Sequence, residues 1–422
     1  LKTPNVGAVV LEAVALQAVA LEAVALEAAA QQAAARQAVT QRAVAQQAAI
    51  LSKKRRIRNT MNWDTFISQK LKPVEAYQPG LREEQVREIA QTERIYKLSS
   101  NESPLPPFPS AVAAMREALE NLNEYPDGAT HELTGALAEH YGVLREQVVI
   151  GNGSNELIDD IAMSCLEPGD NVVYCWPSFI VYRSSAQIAG VEYREIPLTA
   201  HGSSDLDALL AAIDQNTKIA YVCTPNNPTG GIVTDEDFAR FIEAVPKHVL
   251  VVVDAAYEEF AGNTARLDAH KYFDGVRPLV VLRTFSKAYA LAGIRCGYGL
   301  APAPLIEAIN KVREPFNVNS VAQAGALASL NDPEELKRRV ELNRRGKQRL
   351  YECFEELELI YLESEANFVW VEVPDAQAVF DTLLKNGIIV RIFPAVNGLR
   401  VGVGDEEGVD ATIAVFRQLF GS

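Results

Sequence analysis

Short apolar runs at residues 148–150, 171–176, 219–223, 249–253, 279–282 and 298–300 alternate with helix-like stretches such as 156–165, 235–244 and 305–311. A run with no polar side to its period has to be buried on both faces, which a parallel sheet covered by helices on each side provides. The alternation therefore predicts an α/β fold with a mostly parallel central sheet. Ligands on such sheets sit at the carboxyl ends of the strands, so the residues that follow each run are where chemistry is expected.

From about Glu334 the pattern changes to a long charged helix, an apolar run at 368–373, a helix at 376–385, and strands at 388–392 and 399–403. This predicts a smaller α+β domain. The expected organisation is an N-terminal arm with part of the small domain at 61–108, a large domain at 109–312 and a C-terminal small domain at 313–422.

The first sixty residues are of another kind. From Leu11 to about Ala45 the sequence cycles every five residues, with Glu12, Gln17, Glu22, Glu27 and Gln32 at one phase. On a helix a step of five rotates the phase by about 140°, so no single apolar stripe persists. Glutamates within the stretch make it a poor membrane span, because each acid at the bilayer centre costs roughly 2.5 to 3.5 kcal/mol. The first methionine is Met61, and residues 1–60 are expected to be a low-complexity arm outside the fold.

Charge divides at the same place. Residues 1–60 hold eight Lys/Arg against three Asp/Glu, a net of +5, so the remainder carries −20 of the chain's −15. An acidic body repels phosphate backbones and anionic lipid, which excludes nucleic acid and membrane as expected partners and favours small molecules. The cysteines are five in number and widely spaced, fitting a reducing cytoplasm. The histidines show no metal-ligand spacing, and no metal is expected.

Each strand end then offers a chemical group. After 148–150 comes Gly151-Asn152-Gly153-Ser154-Asn155-Glu156, opening a helix. Ser and Asn cap helices well, and the amides at a helix start bind phosphate. After 219–223 comes Thr224-Pro225-Asn226-Asn227-Pro228-Thr229-Gly230, a turn signal. Asp254 follows an apolar run of five, so it has either a cationic partner or a strand-end site, since an unpaired buried carboxylate is prohibitively costly. Tyr257 lies close behind it. After 279–282 come Ser286 and Lys287, then Arg295; a lysine desolvated among apolar neighbours has a lowered pKa and can act as a nucleophile. Phe179 follows the 171–176 run and offers a ring for stacking. In this order the groups form the set that pyridoxal phosphate requires. They comprise phosphate donors with a cation, a neutral lysine for the aldehyde, a carboxylate for the pyridine nitrogen and donors for the phenolic oxygen.

The residues from about Met61 to the end resemble the class-II, fold-type-I pyridoxal-phosphate-dependent aminotransferases, and among them the histidinol-phosphate aminotransferase family. The resemblance rests on Leu98-Ser99-Ser100-Asn101-Glu102-Ser103-Pro104, Asn123-Glu124-Tyr125-Pro126, Pro225 to Gly230, Thr284 to Lys287 with Arg295, Val312 to Asn319, and Leu399 to Gly404. It implies that Lys287 carries the cofactor covalently, that Asp254 pairs with the pyridinium, that Asn227 and Tyr257 bond the phenolic oxygen, and that Phe179 stacks on the ring. Ser154, Asn155, Ser286 and Arg295 are implied phosphate ligands. Tyr125 is similar to a tyrosine that reaches the phosphate across a dimer interface, and Tyr77 to one that touches substrate from the partner subunit, so a homodimer is implied. Asn101 and Arg400 are implied substrate ligands, and Arg391 a second arginine for the substrate phosphate.

The implied reaction is amino transfer between L-histidinol phosphate and 2-oxoglutarate in histidine biosynthesis. The sequence departs from the family pattern at Ser103, where Asn is usual, and at Phe179, where many relatives have Tyr or Trp. These departures keep an aromatic or broad-specificity aminotransferase as the alternative. A non-enzymatic, pyridoxal-phosphate-binding regulator ranks behind both.

Overall fold

The computed structural model describes residues 62–76, 80–262 and 264–421. The expected low-complexity arm, like Tyr77, lies outside the described residues. Residues 62–72 form two short 3-10 turns, Trp63–Thr65 and Gln69–Leu71. The folded body follows from Pro73 onward.

The strands in chain order are β1 (Tyr96–Lys97), β2 (Val148–Gly151), β3 (Asn171–Trp176), β4 (Glu192–Pro197), β5 (Thr217–Cys223), β6 (Leu250–Asp254), β7 (Leu279–Thr284) and β8 (Gly297–Leu300). They continue with β9 (Tyr361–Leu362), β10 (Phe368–Glu372), β11 (Ile388–Ile389), β12 (Arg391–Phe393) and β13 (Gly398–Gly402). The central sheet runs β2-β8-β7-β6-β5-β3-β4, with every pairing parallel except those of β8, which is antiparallel to both neighbours.

Burial on both faces explains the unbroken apolar runs. Val251 and Val253 of β6 pack with Phe238 and Phe241 on one side, whereas Val252 packs with Leu157, Ile158 and Tyr182 on the other. The covering helices include α1 (Pro109–Ala118), α2 (His131–Tyr141), α3 (Ser154–Cys165), α4 (Val181–Ala189), α5 (Asp235–Ala244), α6 (Ala303–Val312) and α7 (Ser320–Leu330). Thr234 caps α5 by accepting from the Asp237 amide, and three acids in its first turn complement the helix dipole.

A second core belongs to the antiparallel sheet β12-β13-β10-β9. Val369, Val371, Leu399 and Val401 pack there against Leu350 and Phe354 of α8 (Pro333–Glu356), Leu383 of α9 (Ala376–Lys385) and Phe416 of α10 (Glu406–Phe420). This is the α+β unit expected from the tail, with two differences. The run 388–392 is two strands, because β11 pairs in parallel with β1 while β12 pairs antiparallel with β13. The expected boundary at 313 does not divide the cores: Val318, Ala322 and Ala326 pack into the large-sheet core. The central sheet also gains a strand not expected from the apolar runs, β4, whose charged Glu192-Tyr193-Arg194-Glu195 sequence is tolerated because it pairs only with β3 at the sheet edge.

Register gathers the strand ends. Asp254 faces Cys223 on one side and Leu282 on the other. Gly297 faces both Thr284 at the end of β7 and Gly151 at the end of β2. The antiparallel β8 thereby brings two distant segments to one edge.

Candidate active site

The strand ends and the turns after them enclose a cavity of about 190 Å³. Its wall includes Asn101, Ser154, Asn155, Phe179, Asn227, Asp254, Tyr257, Ser286, Lys287, Arg295 and Arg400. Residues spread over three hundred positions of sequence thus converge on one buried space.

Asp254 is the last residue of β6 and is 4% exposed. Its partner is the buried Tyr182 on α4, whose hydroxyl donates to Oδ2 at 2.7 Å; the Ala256 amide donates to Oδ1 at 3.3 Å. Burial pushes the carboxyl pKa up, against these two hydrogen bonds and the nearby charge of Lys287. Such a carboxylate gains from a cation brought into the cavity.

Lys287 follows β7, and its Nζ donates to the Ser100 carbonyl at 3.1 Å and lies 5.6 Å from the centre of the Tyr257 ring. Burial first, then the positive charges of Arg400 and Arg295, outweigh Glu102 and Asp254 and bring the amine down to about 8. It therefore reaches the neutral, nucleophilic form more than two units below an ordinary lysine.

At the other end of the cavity, Gly153 precedes α3 with a φ of +85°, and a Cβ there would lie 2.5 Å from Nη2 of Arg295. Glycine alone admits the guanidinium this close to the helix start. Gly153 is also the N-cap, so Ser154 is the first helical residue and not the cap that the sequence suggested. Arg295 donates to Ser286 Oγ at 3.4 Å. A helix N-terminus, a hydroxyl and a guanidinium in one place form an anion site.

A larger cavity, of about 530 Å³, shares Phe179, Asn227 and Arg400 with the first and adds Arg391, Ser99 and Trp176. Arg400, 8% exposed on β13, donates to Asn227 Oδ1 and to the Ser99 carbonyl. Tyr125 lies apart from both cavities; it is 81% exposed and stacked on Phe316, with ring centres 4.6 Å apart.

Three features escaped the sequence reading. Tyr182 was not singled out, although the need of Asp254 for a partner was. Arg283 is a buried β7 residue that pairs with Glu258 at 2.7 Å and Glu259 at 2.8 Å. These pairs anchor the turn that carries Tyr257. The third is the set of backbone carbonyls at 98–101, which have no sequence signature.

Residues 93–416 match the family described as aminotransferase class I and II. A histidinol-phosphate aminotransferase of Bacillus licheniformis is 41% identical over 347 residues, which cover 81% of this chain and 96% of that protein. The chain belongs to the class I and II aminotransferases.

Histidinol-phosphate aminotransferase 2 of Pseudomonas fluorescens is 44% identical over 314 residues, covering 74% of this aminotransferase and 85% of its own length. The crystal structure of histidinol-phosphate aminotransferase from Sinorhizobium meliloti, in complex with pyridoxal-5'-phosphate, superposes with a TM-score of 0.76. That alignment is at 28% identity and covers 84% of this chain and 98% of that one. The architecture is accordingly fold type I, as the alternation of strands and helices and the ordered strand-end groups implied.

Proposed function

We propose that this aminotransferase moves the amino group of L-histidinol phosphate to 2-oxoglutarate, with pyridoxal phosphate held in the Lys287 cavity. One observation carries the reading: a buried lysine amine and a buried carboxylate share a cavity whose wall residues Phe179, Asn227 and Arg400 also line a second one containing Arg391. The relatives' names supply the substrate, and the arginines supply a reason for it.

The donor set suits pyridoxal phosphate. The Gly153 cradle under Arg295, with Ser154, Asn155 and Ser286 around it, accommodates a phosphate. Asp254 would answer a pyridinium nitrogen, Asn227 and Tyr257 would bond a phenolic oxygen, and Phe179 would offer its ring for stacking. When bound, the cofactor supplies an aldehyde that condenses with amines and a ring that accepts the electron pair left at a substrate Cα.

The remaining work falls to the chain. Lys287 Nζ, neutral at a pH where most lysines are charged, would be the group that holds the cofactor's aldehyde and, when free, would take a proton from a substrate Cα. Asp254, fixed by the Tyr182 hydroxyl, would hold a protonated ring nitrogen and so favour the ring as an electron acceptor. Arg400 and Arg391 bind the substrate phosphate in one half-reaction and a 2-oxo acid carboxylate in the other, with Asn101 beside them. Tyr125 and Tyr77 are assigned to the partner subunit's site in a homodimer. The exposed Tyr125–Phe316 stack supports an apolar contact there. The thiols of Cys165, Cys175, Cys223, Cys296 and Cys353 are all unbridged, which supports a reducing cytoplasm. Among the described residues no helix is long and apolar enough to cross a membrane.

The test is the absorption spectrum of Lys287→Ala with added pyridoxal phosphate. The band of lysine-bound cofactor should vanish and turnover fall by about four orders of magnitude, since nucleophile and base are one residue. An unchanged band would refute the assignment.

A further inference from the structure

Residues 98–101 form a strap whose Ser100 and Asn101 line the Lys287 cavity, and each of the four successive carbonyls accepts a hydrogen bond from a different donor. Leu98 O accepts from the Gly402 amide at 3.0 Å, Ser99 O from Arg400 Nη2, Ser100 O from Lys287 Nζ at 3.1 Å, and Asn101 O from Asn367 Nδ2 at 3.0 Å. Two of these donors, Lys287 and Arg400, are groups the proposed reaction sends to cofactor and substrate. Every turn of that reaction withdraws them from the strap in part or in full.

What then holds the far end is Asn367. It is 3% exposed, directly before β10, and its own carbonyl accepts from the Val403 amide at 2.9 Å, which ties it to the end of β13. Asn101 is the strap residue that most needs holding. Its φ is +55°, a left-handed conformation that costs a non-glycine residue energy, and its Nδ2 donates to the Tyr257 hydroxyl at 2.9 Å. Asn101 is also 2% exposed, so a displaced carbonyl would have little water to turn to.

We propose that Asn367 is a positioning residue of the reaction: it fixes Asn101, and through it the Tyr257 hydroxyl, while Lys287 and Arg400 leave the strap to engage ligands. The proposal rests on the functional reading above. Asn367 touches neither substrate nor cofactor, and its effect appears in the ligand-engaged state, where it is the one remaining side-chain donor among the strap's four carbonyl bonds.

The experiment compares hydrogen exchange of the 99–102 amides in unaltered and Asn367→Ala holoenzyme, with and without saturating 2-oxoglutarate and with no amino donor, so that the cofactor keeps Lys287, and the carboxylate takes Arg400, off the strap together. The substitution should speed exchange about tenfold with substrate and less than about threefold without it, and lower kcat more than it raises KM. Asn367→Asp keeps the shape and reports through pH: a carboxyl donates to Asn101 O only when protonated. Its turnover relative to the unaltered enzyme should rise as pH falls, while the Asn367→Ala ratio stays flat. Equal acceleration of exchange in both ligand states, or no acid recovery in Asn367→Asp, would overturn the proposal with the lysine-bound cofactor band intact. Absence of that band from the unaltered protein would instead overturn the functional reading and this proposal together.

Discussion

Two walls of one cavity are built by different rules. The wall carrying Asp254, Lys287 and the α3 start consists of strand ends in a single sheet, fixed by a register that backbone hydrogen bonds enforce over each strand's length. The facing wall is the 98–101 strap with Arg400, continued by Arg391 in the larger cavity; two of the strap's donors, Lys287 and Arg400, also serve ligands. The first is preorganised and keeps charges where they are needed without moving. The second exchanges its internal bonds for ligand bonds, which suits a pocket that takes two substrates in turn.

The comparison breaks most visibly at Asp254. Asp254→Asn keeps the shape and a contact for the Tyr182 hydroxyl but removes the charge, so kcat should fall by about 10³ while thermal stability stays close to that of the unaltered protein. A loss of less than about tenfold would mean that the preorganised wall is not where the catalytic charge resides. Arg400→Lys probes the other wall. A single ammonium replaces a guanidinium that reaches both Asn227 and Ser99. The expected result is a KM rise of about 10² for both substrates with a smaller change in kcat, read from steady-state kinetics; a purely kcat effect would move Arg400 to the rigid wall.

A smaller effect sharpens the contrast through pH. In cofactor-free protein, capture of pyridoxal phosphate by Lys287 should quicken about tenfold per pH unit up to a pH of about 8 and level off above it. The sign follows from burial: a lowered pKa makes the amine neutral at lower pH. A rate that kept climbing toward pH 10 would show a lysine in open solvent, and the wall would not be the dry surface described.

The same division decides what the sequence made legible. In the rigid wall each apolar run is interrupted by a polar residue at the point where the strand leaves the core, so Asp254 and Lys287 stand out against their neighbours. The strands expected at 171–176 and 219–223 are legible too, the second beginning two residues earlier in the structure, at Thr217. Tyr182 was not, because an aromatic on a buried helix face looks like the packing tyrosines 174 and 221 beside it. Arg283 was hidden as well: its partners Glu258 and Glu259 are 25 and 24 residues away, and nothing in the spacing pairs them. The strap was illegible in principle, since its acceptors are backbone carbonyls. Asn367 reads as an ordinary residue before an apolar strand. The edge strand β4 was missed because its charges suit half-exposed pairing, and the split of 388–392 depends on a change of partner that local sequence does not encode.

The central claim is that the two arginines of the adjustable wall select a phosphate-bearing amine for the lysine of the rigid one. The direct measurement is kcat/KM for L-histidinol phosphate and for phenylalanine, with 2-oxoglutarate as acceptor, in one assay. A charge-assisted, bidentate anion contact predicts a preference for histidinol phosphate of at least about 100-fold. Equal values for the two amines would contradict the account.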